Sequence, residues 1–146
     1  MPAFGKERRI ASHVKNQNFA GTDFSYDDME AKLFSSKYDP EIIDQNNETY
    51  TLKLTPKPGL KTDYSKQLMI VDKQNFYPVT NEYYDKGGKK AKEAIYTFEK
   101  IGNYWNSKEI LMKDLKKKHS TKMIVSDVTY DQGLSDDEFT VRKLKQ

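Results

Sequence analysis

The clearest pattern in the chain is an alternation with a period of two. Thr49-Tyr50-Thr51-Leu52-Lys53-Leu54 puts Tyr50, Leu52 and Leu54 on one face and the polar positions on the other, which predicts a half-buried strand. Pro56-Lys57-Pro58-Gly59 ends it, because proline supplies no ladder hydrogen bond and glycine tolerates turn dihedrals. Gln67 to Val71 and Phe76 to Tyr84 are the next strands, joined by a turn at Asp72-Lys73-Gln74-Asn75. Asp85-Lys86-Gly87-Gly88-Lys89 is the strongest turn signal of the chain. Ala91 to Ile101 follows, with Ala94, Tyr96 and Phe98 on one side, and Gly102-Asn103 turns the chain again. In Tyr104 to Leu115 the residues Trp105, Ile110, Leu111, Met112 and Leu115 also fit helical spacing, but the surrounding hairpin rhythm favours a strand. His119 to Tyr130 is rich in β-formers, and after a loop at Asp131 to Glu138 the stretch Phe139 to Arg142 closes the pattern.

Upstream, Lys6 to Val14 is a short β-prone stretch, and Asn16 to Gly21 reads as a loop. In Thr22 to Glu30, Ser25 is placed to cap a single helical turn, with Asp28 closing a weak capping box, across an end of the sheet. About seven to nine short strands with tight turns predict a mainly β fold, as an antiparallel curved sheet, sandwich or open barrel. No amphipathic helix separates the strands, which argues against a βαβ architecture. With neither an internal repeat nor a low-complexity linker, residues 1–146 form a single domain.

The hydrophobic fraction of 36% is low, but ten Tyr, seven Phe and one Trp offset it, so the expected core is thin but real. Twenty-five basic and 22 acidic residues are mixed along the chain, which describes a solvated surface and gives no nucleic-acid footprint. The most basic stretch, Lys113 to Lys118, reads as a charged strand end or turn, or else as a contact with anionic lipid or a partner. No run approaches the ~18 apolar residues of a membrane span. Met1 to Arg9 lacks the apolar core of a signal peptide.

Catalytic signals are absent. There are no cysteines, and the two histidines, His13 and His119, lie far apart without a metal-ligand partner at short spacing, so each reads as a surface or edge residue. No serine sits in a nucleophile elbow, and Gly87-Gly88 lacks the spacing of a phosphate loop. The acidic residues Asp23, Asp27, Asp28 and Glu30 do not match a calcium-loop pattern and read as a polar loop or a capping device. No metal, cofactor or enzymatic activity is expected.

The aromatics carry more information. Tyr77, Tyr83, Tyr84, Tyr96, Phe98, Tyr104 and Trp105 crowd the central hairpins, either filling a thin core or lining a groove for an acyl chain or another apolar ligand.

Arg9-Ile10-Ala11-Ser12 and Phe19-Ala20-Gly21-Thr22-Asp23-Phe24-Ser25-Tyr26-Asp27-Asp28 resemble a characteristic segment of the bacterial outer-membrane lipoprotein-sorting proteins, relatives of the periplasmic lipoprotein carrier. Tyr50 to Pro58, Val71-Asp72-Lys73, Tyr77-Pro78, Glu82 to Lys89, His119-Ser120-Thr121 and Phe139 to Leu144 extend the resemblance over nearly the whole chain. It implies an antiparallel sheet curled into an incomplete barrel around an apolar cavity, with short helical segments at one mouth. It also implies a periplasmic or extracytoplasmic place in the cell envelope and transport without catalysis. Family members carry further residues ahead of the matching segment, so the chain is expected to correspond to the family's C-terminal portion and to lack its N-terminal strands.

Two functions follow. The first is noncatalytic binding or carriage of lipid or lipoprotein acyl chains, with Tyr50, Leu52, Leu54, Leu68, Ile70, Tyr83, Tyr96, Phe98, Ile110 and Met112 as the expected lining, chosen by strand period and apolar character. A one-residue register error would invert any one strand. The second is an envelope protein-interaction module working beside a membrane exporter, through strand addition at an exposed edge. Expected partners are an apolar ligand, a membrane surface and a second copy of the chain, paired through an edge or face.

Overall fold

The computed structural model describes residues 11, 14–30 and 33–144. Its body is one seven-stranded antiparallel meander, β1 (Tyr38–Gln45), β2 (Thr49–Pro56), β3 (Tyr64–Asp72), β4 (Pro78–Asp85), β5 (Lys90–Ile101), β6 (Tyr104–Asp114) and β7 (His119–Ile124), with strand order following chain order. β1 and β7 are its open edges, so the sheet does not close into a barrel. Helical structure is limited to α1 (Phe34–Lys37), a 3₁₀ turn at Asp136–Phe139 and α2 (Val141–Leu144).

Each tight hairpin has a local chemical cause. Asn46, Asp72, Asp85 and Asp114 each direct a side-chain oxygen at two backbone N–H groups of the turn that follows, at 2.7–3.1 Å. These are Asx turns, in which the side chain satisfies donors that the ladder leaves free. Gly88 takes φ +78° at the β4–β5 turn, a left-handed conformation that a side chain would strain.

Directly paired residues share a face. The register carries Leu54, Gln67 and Tyr83 on one side of β2–β4, and Asn81, Ala94, Met112 and Thr121 on the same side across β4–β7. This inner face holds two apolar clusters. Tyr38, Leu54, Met69 and Val71 pack over β1–β3, while Phe24, Tyr83, Ala94 and Met112 pack over β4–β6. The outer face is charged: Lys90 bridges the opposed Glu82 and Glu93 at 2.6 and 2.7 Å, offsetting a cross-strand pair of like charges.

The expected strands from Thr49 to Leu115 all form, including the stretch that also fitted helical spacing. Three features differ. β1 is exposed along nearly its whole length and contains Pro40, which an edge strand tolerates because an outward-facing N–H there has no partner to lose. The last strand stops at Ile124, and Asp127 and Asp131 take positive φ beyond it. Phe139 to Arg142 forms no strand: helical turns occupy it and Phe139 is 77% exposed, with no neighbouring strand to pair with. His13 and most of residues 6–14 lie outside the described residues.

Met112 is 1% exposed and touches the β4–β6 cluster from its centre. Met112→Ala is expected to destabilise the fold by about 2–5 kcal/mol, read by urea unfolding with an unchanged m-value.

Candidate functional site

Residues 15–30 form a strap that crosses the inner face on the β5–β7 side. Asn18 and Ser25 pair in an isolated antiparallel bridge, making a small hairpin whose turn needs φ +78° at Gly21. After it, the Asp28 carboxylate accepts from the Ser25 N–H and hydroxyl, both at 2.8 Å, and the Asp28 N–H returns a bond to the Ser25 hydroxyl at 3.1 Å. The reciprocal bonds expected of a capping box are present, but they close a turn and no helix follows.

The strap is fastened by a buried carboxylate. Asp23 is 2% exposed, and its Oδ2 accepts from the Thr121 hydroxyl and lies against His119 Nδ1, both at 2.7 Å. The Thr121 hydroxyl in turn accepts from the Asp23 N–H at 3.1 Å, and Lys92 donates to the Asp23 carbonyl at 2.7 Å. Thus β5 and β7 both hold one residue of the strap, and Phe24 beside it inserts into the β4–β6 cluster. Salt bridges secure the outgoing end: Lys37 reaches Asp27 at 3.2 Å and Glu30 at 3.4 Å, and Lys15 reaches Glu30 at 2.7 Å.

Beneath the strap lies a cavity of about 190 Å³. Its wall includes Tyr38 of β1 and Met123 of β7, so both edges of the sheet reach one space. Seven flat strands would hold those edges roughly 28 Å apart, so the sheet is strongly curved. A second cavity, of about 360 Å³, lies over β1–β3 and is lined by Tyr50, Leu52, Leu54, Met69 and Val71, with Phe34 and Phe76 at its ends. Ser35, Tyr38 and Pro40 complete its wall. It is an apolar groove running along the strands, and Tyr50 to Leu54 alone gives it about 13 Å of length.

The ten residues chosen from sequence separate into groups. Tyr50, Leu52 and Leu54 line the apolar groove, and Tyr83, Tyr96, Ile110 and Met112 line the cavity under the strap. Phe98 lines neither, and stacks between Tyr77 at 4.7 Å and Tyr96 at 6.4 Å. Leu68 and Ile70 fall on the outer face, because β2 pairs Leu52 with Met69 and Tyr50 with Val71. Their inner-face positions are taken by Gln67, Met69 and Val71. Leu68-Met69-Ile70-Val71 is an unbroken apolar run, so its period could not say which two residues face inward. Phe24, Phe34, Pro40 and Phe76 were also missed, since each reaches the inner face from a loop, a short helix or an edge strand.

Among the described residues, no three histidine, aspartate or glutamate side chains are grouped to hold a metal ion. Nor is any helix long and apolar enough to cross a membrane.

Burial works to raise the Asp23 pKa. The hydrogen bonds from Thr121 and His119, with the charges of His119 and Lys117, outweigh it and hold the carboxyl below its ordinary 3.8. A carboxyl depressed in the folded state contributes stability above its unfolded pKa and loses it as pH falls through the folded value. The melting temperature is therefore expected to fall more between pH 5 and pH 3 in the native chain than in Asp23→Asn. Equal slopes by calorimetry would show that the carboxylate does not fasten the strap.

A family model described as that of an uncharacterized protein matches residues 1–146. No curated protein matches the chain. Among solved structures, a domain from Vibrio parahaemolyticus named for outer membrane lipoprotein sorting superposes with a TM-score of 0.87 at 26% identity, covering 100% of this chain and 64% of that one. A DUF1329 family protein from Desulfovibrio piger gives 0.82 at 30% identity, over 94% of this chain and 59% of that one. A LolA superfamily protein from Nitrosomonas europaea gives 0.71 at 26% identity, over 98% and 65%. The chain thus spans 59–65% of the length of these structures.

Proposed function

We propose, for a chain that belongs to this family of uncharacterized proteins and carries the fold of the LolA and outer-membrane lipoprotein-sorting superfamily, that it binds an apolar chain noncatalytically on its inner face. Residues 1–146 act as one carrier-like domain in the cell envelope, on the periplasmic or extracytoplasmic side, and the ligand is a lipid or the acyl chain of a lipoprotein.

The observation that carries this reading is the groove over β1–β3. Its volume of about 360 Å³ falls within the range of small-molecule sites, about 300–1,000 Å³. Its walls are aliphatic and aromatic, and its elongated form suits an alkyl chain. Each methylene moved from water into it contributes about 0.8 kcal/mol. Leu52, partly exposed on the groove floor, gains cover from such a ligand. The likeness to proteins named for lipoprotein sorting supports the same reading.

A second reading draws on the β1 edge. Ile42 and Ile43 are 60% and 46% exposed there, beside backbone groups that no further strand pairs among the described residues. Such an edge can accept a strand from a partner, as an interaction module or a homodimer would require.

Native mass spectrometry of the purified protein, before and after organic extraction and re-exposure to a broad lipid mixture, separates the two. Carriage predicts a retained apolar adduct that extraction removes and that Leu52→Glu fails to regain. An empty chain that stays empty in the lipid mixture contradicts it, and a dimer without adduct favours the edge reading.

A further inference from the structure

The two cavities of the inner face adjoin, since Phe34 and Tyr38 line both, but their chemistry differs. The groove is apolar. The cavity under the strap is lined by four tyrosines, Tyr38, Tyr64, Tyr83 and Tyr96, together with Gln67 and the carboxylate of Asp28. Burial pushes all four phenols above their ordinary range, and the negative charge of Asp28 adds to the rise at each. They therefore stay protonated, and a protonated phenol both donates and accepts.

One acceptor of the cavity wall is incompletely used. Both bonds from Ser25 fall on Asp28 Oδ2, leaving Oδ1 clear of them. A partly buried acceptor with spare capacity favours a ligand that donates to it.

The charge of the site is negative. Asp27, Asp28 and Glu30 all line the cavity. Lys37 and Lys15 form ion pairs with Asp27 and Glu30, whereas Asp28 forms none among the described residues. A phosphate or carboxylate brought into this space would sit beside the Asp28 carboxylate, which repels it.

We propose that the cavity under the strap is the head-group pocket of the groove, and that the ligand is an amphiphile whose head donates hydrogen bonds and carries no negative charge. This rests on the carrier reading and adds to it. The tail lies over Tyr50, Leu52 and Leu54. The chain runs past the Phe34–Tyr38 ring pair, which borders both cavities, and the head donates to Asp28. The pocket's volume, about 190 Å³, suits a glycerol-sized group.

The test is isothermal titration at pH 8 with two ligands of one tail length, monolauroylglycerol and laurate. The glyceride is expected to bind about tenfold or more tightly than the carboxylate. Asp28→Asn keeps an oxygen for the Ser25 bonds and removes the charge, and is expected to bring the ratio to roughly threefold or less by tightening laurate. Tyr96→Phe removes one hydroxyl and is expected to weaken the glyceride while leaving laurate unchanged, which decides the matter should Asp28→Asn fail to fold. Laurate binding as tightly as the glyceride, or a ratio unmoved in both variants, overturns the head-group assignment while leaving the carrier reading standing. Failure of both ligands to bind brings down the carrier reading, and the head-group pocket with it.

Discussion

An open seven-stranded sheet with one apolar face has no second sheet to pack against, so whatever covers that face determines what the protein can hold. Here the cover is partial. Phe24 and the strap that carries it lie over the β4–β6 cluster and complete a core around Tyr83, Ala94 and Met112. Over β1–β3 the cover stops at α1, and Tyr50 and Leu52 remain only half buried. The β4–β6 half is a closed core, whereas on the β1–β3 half a buried cluster of Tyr38, Leu54, Met69 and Val71 adjoins the half-buried Tyr50 and Leu52 of the groove.

The strap holds because its fastening is buried and matched. A carboxylate as enclosed as that of Asp23 would be costly alone, but Thr121 and His119 supply its hydrogen bonds from β7, and Lys92 holds the adjoining carbonyl from β5. The same strap brings Asp28 to the four phenols. One segment therefore completes the core and also sets the polarity of the space next to the groove. The outer face shows the opposite design: Glu82, Lys90, Glu93 and Lys113 neutralise one another and give that surface no reason to bury.

The strands from Thr49 to Leu115 were legible because alternation and turn chemistry agreed at each hairpin. β1 was not: Tyr38, Pro40 and Ile42 do alternate with Asp39 and Glu41, but a proline within so short a run weakens the strand signal everywhere except at an edge. The site was legible in part. Tyr50, Leu52 and Leu54 alternate with polar residues and declared their face, whereas the run from Leu68 to Val71 could not, and only the pairing with β2 fixed it. The strap's role was hidden because Asp23 and Thr121 are 98 residues apart. The family resemblance nonetheless ran through both Gly21-Thr22-Asp23 and His119-Ser120-Thr121, the two segments that the fold joins.

Carriage as proposed puts a ligand's tail on the half-covered face over β1–β3. A crystal of the protein with 12-bromododecanol tests it directly, because anomalous scattering locates the bromine without reference to the fold. One bromine site is expected in the groove between Phe34 and Phe76, in contact with Leu52 or Met69. Bromine on the outer face beside Leu68 and Ile70, or confined to the β1 edge at Ile42 and Ile43, would contradict it.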